Sequence, residues 1–105
     1  VELGDLDGVA EAIEGLAGLA VAEERFVRAA RLGGAADSLR RTLGIPLPEV
    51  DRVRLDGWLE EPRDRLGGED FNAAWAEGAG MTTEQAIAYA LQDRPASSPQ
   101  AATAD

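Results

Sequence analysis

Apolar side chains recur along this chain at three- and four-residue steps, the period of a helix. No segment alternates with the period of two that marks a strand. The first stripe is Val9, Ala12, Ile13, Leu16, Leu19 and Ala20, which predicts a helix of about four turns. Asp5 and Asp7 stand just before it, where carboxylates cap a helix and complement its positive end. Glu23-Glu24-Arg25 is a polar break. A second stripe follows: Phe26, Ala29, Ala30, Gly33, Ala36, Leu39 and Leu43. Gly44 is a C-terminal stop, and Ile45-Pro46-Leu47-Pro48 cannot continue a helix.

A third helix opens at Pro48, with Glu49 and Asp51 near its positive end and Leu55, Trp58, Leu59, Pro62 and Leu66 on its apolar side. Pro62 removes a hydrogen bond and costs about 3 kcal/mol inside a helix, which predicts a kink or break near Glu60 and Glu61. Gly67-Gly68 sets off a fourth helix, whose Phe71, Ala74, Trp75 and Gly78 share one face and which Gly78 and Gly80 end. Thr82-Thr83-Glu84-Gln85 fits a capping box for a fifth, with Thr82 as N-cap and Gln85 reaching back. Ala86, Ile87, Ala90 and Leu91 form its inner face.

The pattern therefore predicts an all-α fold of about five short helices. Residues 1–44 form a helical hairpin, and residues 45–92 form a three-helix segment that completes a small orthogonal bundle. Residues 93–105 are a Pro-, Ser- and Ala-rich tail with too little apolar surface to offset its ordering entropy, so disorder is expected there. The hairpin from Val9 to Leu43 resembles a tetratricopeptide-type repeat. Ile13, Leu16, Ala17 and Ala20 match its first-helix positions, and Ala29 and Ala36 match the small second-helix positions that let helices cross closely. Gly33 stands where that repeat has a bulky aromatic, and Glu24 where it has a turn glycine.

Composition narrows the chemistry. Hydrophobic residues make up 45% but aromatics only 5%, so the core has to be built from Ala, Leu, Val and Ile. The lack of Cys and His removes disulfides, thiolate and imidazole chemistry, and nearly all zinc, copper and haem sites. Ser38, Ser97 and Ser98 have neither a His nor a Lys to activate them. The carboxylate pairs Asp5/Asp7, Glu11/Glu14, Glu60/Glu61 and Glu69/Asp70 fall at helix starts or on polar faces, where caps and solvated surface account for them. The expectation is a non-enzymatic chain without catalytic residues, metal or cofactor. Ten basic residues, all Arg, face 20 acidic ones, for a formal charge of −10. Such a surface repels phosphate backbones, so no nucleic-acid binding by this chain is expected. The longest nearly apolar run, Leu16 to Ala22, is too short to span a bilayer, and without a basic stretch followed by an apolar run no signal peptide is expected. A cytoplasmic location without a membrane partner is expected. Because Val1 is not an initiator Met, the sequence reads as a piece of a longer protein.

Two stretches carry a more specific likeness: "GDLDGVAEAIEGLAGLAVAEERFVRAARLGGAADSLRRTLGIPLPEVDR" and "FNAAWAEGAGMTTEQAIAYAL". They resemble the C-terminal helical region of large bacterial signal-transduction ATPases, including LuxR-type transcriptional regulators. The resemblance implies a scaffold or partner-sensing part of a multidomain transcriptional or signalling regulator, with the ATPase, cyclase or DNA-reading motifs elsewhere. Two functions follow as expectations. The first is a non-catalytic protein-interaction domain whose face of Val9, Ile13 and Leu16 packs on neighbouring repeats of a parent chain or on a second copy, giving a homodimer. The second is a ligand-sensing domain that binds a small molecule or peptide in a groove near Trp58, Trp75 and Tyr89.

Overall fold

The computed structural model describes residues 3–92, with the side chains of residues 3–6 excepted. It contains five helices: α1 (Leu3–Ala22), α2 (Phe26–Leu43), α3 (Glu49–Leu66), α4 (Gly68–Ala79) and α5 (Thr83–Leu91). No strand occurs among the described residues. The all-α fold expected from the apolar period is the fold observed. The tail expected over 93–105 lies outside the described residues.

The helix ends follow local chemistry. At the end of α2, Gly44 adopts φ +70°, while its N–H reaches the Arg41 carbonyl and the Ile45 N–H reaches the Arg40 carbonyl. The same pair of bonds closes α1: Glu24 N–H to the Val21 carbonyl at 2.9 Å and Arg25 N–H to the Ala20 carbonyl at 2.8 Å. Here a Glu, not a Gly, occupies the left-handed position, at φ +60°. The capping box at α5 is complete. The Gln85 N–H donates to the Thr82 hydroxyl at 3.0 Å, and the Thr82 N–H donates to the Gln85 side chain at 2.9 Å.

Two expectations about helix ends need correcting. Helix α1 begins by Leu3, so Asp5 and Asp7 lie in its first turns rather than ahead of it. Helix α3 runs unbroken through Pro62. Proline there forfeits only the bond to the carbonyl four residues back, and its ring is wholly buried, so apolar burial offsets part of that cost.

Helix α2 touches all four of the others. On one side Ala29, Leu32, Ala35 and Ala36 join Ile13, Ala17 and Ala20 of α1 and Ala86 and Ala90 of α5. On the other side Ala30 joins Leu59 of α3 and Phe71 and Ala74 of α4. The loop after residue 44 is thus not a boundary between cores, because α5 returns to the hairpin and α3 and α4 cover the far side of α2.

The crossing of α2 and α4 is the tightest contact. A Cβ on Gly34 would overlap the Trp75 carbonyl oxygen, and a Cβ on Gly78 would overlap the Arg31 carbonyl oxygen. Gly78 is therefore a contact residue inside α4; Gly80 provides its end. Gly33 and Gly18 serve a different purpose. A Cβ at Gly33 would lie 2.8 Å from the Trp75 ring, and one at Gly18 would lie 2.7 Å from the Trp58 ring. Each glycine is a seat for an indole.

Gly34→Ala and Gly78→Ala are each expected to cost about 3 kcal/mol or more, since the new methyl meets backbone that cannot step aside. Gly15 faces open space inside α1, so Gly15→Ala is expected to add about 0.5–1 kcal/mol. Glu24→Gly is expected to add about 0.5–1 kcal/mol by relieving the left-handed backbone. Thermal unfolding of the four variants checks both signs, and a loss in Gly15→Ala or a gain in Gly34→Ala contradicts this packing.

Candidate functional site

The most organised polar chemistry lies inside the α1–α2 hairpin. Glu14 and Arg40 are each only 8% exposed. The Arg40 guanidinium forks onto the carboxylate, with Nε to Glu14 Oε2 at 2.6 Å and Nη2 to Oε1 at 3.0 Å. Its remaining Nη1 reaches Asp7 Oδ1 and the Ile45 carbonyl, both at 3.4 Å. The hydrogen bond to Glu14 is the main reason the Arg40 guanidinium holds its proton above the ordinary arginine range; burial works against it. One side chain therefore ties α1, α2 and the α2–α3 link together.

Arg28 does a comparable task at the other end. It donates to the Tyr89 carbonyl at 3.2 Å and the Ala90 carbonyl at 2.9 Å, two of the last carbonyls of α5. Its guanidinium also sits 5.1 Å from the centre of the Tyr89 ring. Burial pulls this group below its ordinary value, with Tyr89 opposing. Nearby, Arg31 donates to Glu77 at 2.7 Å, linking α2 to α4.

The sequence places Glu14 on a polar face; the structure buries it. The signal is present in the spacing, because Ala10, Ile13, Glu14 and Ala17 are one helical stripe and so are Leu32, Gly33, Ala36, Leu39 and Arg40. A charged residue at a stripe position on each of two antiparallel neighbours marks a buried pair. The other carboxylates singled out do not converge: Glu11, Glu60, Glu61, Glu69 and Asp70 are exposed. Among the described residues no group of three acidic side chains could hold a metal ion.

Both expected site faces change. Ile13 is 2% exposed, and Val9 and Leu16 pack half-buried against the same core, covered by α2 and α5 of this chain. The hairpin's apolar side is thus closed from within, and Val9, Ile13 and Leu16 do not form a free docking face. Trp58, Trp75 and Tyr89 do not share a groove. Trp58 lies at the α1–α3 contact, Trp75 packs at α2 with its ring centre 5.9 Å from that of Phe71, and Tyr89 lies under Arg28. Each lines a different surface depression. Among the described residues, the exposed large apolar ones are instead Leu19, Val27, Val50, Val53 and Leu91.

This chain is similar to "Putative HTH-type transcriptional regulator Rv0890c" of Mycobacterium tuberculosis and to "Putative HTH-type transcriptional regulator Mb0914c" of Mycobacterium bovis. Identity to each is 38% over 100 residues. The match takes in 89% of this chain but 10% of each relative, so the chain spans about a tenth of the length of the curated relatives it matches. No family model matches the chain. No solved structure matches it. The likeness supports a relationship to transcriptional regulators in general.

Removing one partner of the buried pair, as in Glu14→Leu or Arg40→Leu, is expected to cost about 3–5 kcal/mol, because the other charge is left buried. The double variant Glu14→Leu/Arg40→Leu is expected to recover most of that loss in urea unfolding. Additive losses contradict a buried, mutually satisfied pair.

Proposed function

We propose that this chain is a non-catalytic helical scaffold and protein-interaction domain of a cytoplasmic transcriptional regulator, and that contact with DNA is made outside it. The similarity to regulators named for a helix-turn-helix supports the link to a transcriptional regulator, since it runs through 89% of this chain. Charge supports the placing of DNA contact outside it. The pair α4 and α5, joined by the short Gly80-Met81-Thr82 turn, has no Arg or Lys from Gly67 to Gln92 and carries Glu69, Asp70, Glu77 and Glu84. A helix that enters a DNA groove needs cations facing the phosphates.

The partner in this reading is protein. The matched relatives are about ten times as long as the matched segment, so in such proteins the segment's neighbours are other parts of the same polypeptide. The surface available for them is not the sealed hairpin face but α3, whose Val50 and Val53 stand one turn apart and are 69% and 64% exposed. Self-association through the same pair is the form this takes in the isolated chain.

Fluorescence anisotropy with a random-sequence DNA duplex at low salt is expected to show no binding up to about 10 μM chain, a range in which non-specific DNA binders respond. Sedimentation is expected to show self-association that Val50→Glu/Val53→Glu abolishes without changing the far-ultraviolet circular dichroism. Saturable DNA binding, or a monomer that the substitutions leave unaltered, contradicts the proposal.

A further inference from the structure

An open groove of about 610 Å³ lies between the end of α2, the link over 45–47, α3 and Trp75 of α4. That size is within the range of small-molecule sites. Its lining combines apolar walls, among them Ile45, Leu55 and Trp75, with the guanidiniums of Arg40, Arg41, Arg52 and Arg63. Two of those cations are already used: Arg40 by Glu14, and Arg41 by Asp37 at 2.8 Å. Arg52 and Arg63 are exposed, and neither has an ion pair among the described residues. Arg63 rests over the Phe71 ring at 4.9 Å, which orients it toward α4.

The two arginines lie three helical turns apart, about 16 Å along α3, and so stand on the same side of that helix. With Glu14 and Asp37 engaged, Asp56 is the remaining carboxylate in the lining, set against two guanidiniums without ion pairs. A cationic surplus in a chain of net charge −10 runs against the field of the whole molecule. It is a local feature of this groove, beside apolar surface that can take an uncharged body.

We propose that this groove binds a small amphiphilic oxyanion: a carboxylate or phosphate group carried on an apolar body. Arg52 or Arg63 supplies a forked donor to the charged group, and Leu55 and Trp75 receive the body. A small ligand, rather than a chain segment, fits the groove's volume. This site is independent of the α3 surface proposed above, which uses Val50 and Val53.

The test titrates the protein with phenyl phosphate, phenylacetate and the neutral benzyl alcohol. It follows the two Trp indole N–H resonances by NMR, because Trp75 lines this groove and Trp58 lines another. At least one anion is expected to shift the Trp75 resonance with a Kd of about 1 mM or below, leaving Trp58 unmoved; which anion does so identifies the charged group. Benzyl alcohol is expected to bind at least about tenfold more weakly, and Arg52→Gln/Arg63→Gln, with the fold checked by circular dichroism, is expected to weaken the anion at least about tenfold. Absence of any Trp75 shift up to about 10 mM of both anions overturns the proposal, as does binding that survives both substitutions undiminished.

Discussion

The backbone contact between α2 and α4 sets the terms for the rest of the molecule. Gly34 and Gly78 are reciprocal: each lies where the other helix's carbonyl chain passes, at Trp75 and at Arg31. A close crossing suits a chain poor in aromatics, because Ala and Gly can fill a thin interior where larger side chains cannot. It also explains why α2 is buried nearly all round from Arg28 to Ala36. A helix enclosed in this way becomes a wall with a core on each side, one shared with α1 and α5 and the other with α3 and α4.

The buried arginines follow from that central position. A helix of 18 residues enclosed by four neighbours still carries four Arg, and two of them, Arg28 and Arg40, are only 8% exposed. Each is satisfied by an element distant in sequence: Glu14 of α1 for Arg40, and the last carbonyls of α5 for Arg28. Uncompensated, either charge would be expensive; paired, they specify which neighbour sits where. Arg rather than Lys suits both places, since the fork spans two acceptors at once. The aromatics complete the arrangement without gathering into a site, as each large ring is seated on its own glycine or cation. The first proposal lies on the exposed face of α3, and the second in the groove between α2, the following link, α3 and α4.

Much of the fold is legible in the residues. Helical period, Gly44, the Glu23-Glu24-Arg25 break and the Thr82–Gln85 box are local signals, and local signals are decided within a few residues. What was hidden is tertiary. A stripe such as Val9, Ile13 and Leu16 says that a face must be covered, but not that α2 and α5 of the same chain cover it. Gly34 and Gly78 look like helix weakeners until the opposing carbonyl is known. Pro62 looks like a break when only its lost hydrogen bond is weighed, and its burial reverses the outcome. Glu14 and Arg40 were readable in principle from their stripe positions; treating charge as a sign of solvent concealed them. The candidate groove was hardly readable at all, because it joins residues from α2, the following link, α3 and α4.

Native-state hydrogen exchange tests the central claim most directly. If the glycine crossing is what the other contacts depend on, the amides of α2 around Gly33 to Ala36 and of α4 around Ala74 to Gly78 exchange through one shared opening, at the free energy of global unfolding. Exchange of α4 through its own, much easier opening while α2 stays protected contradicts the account.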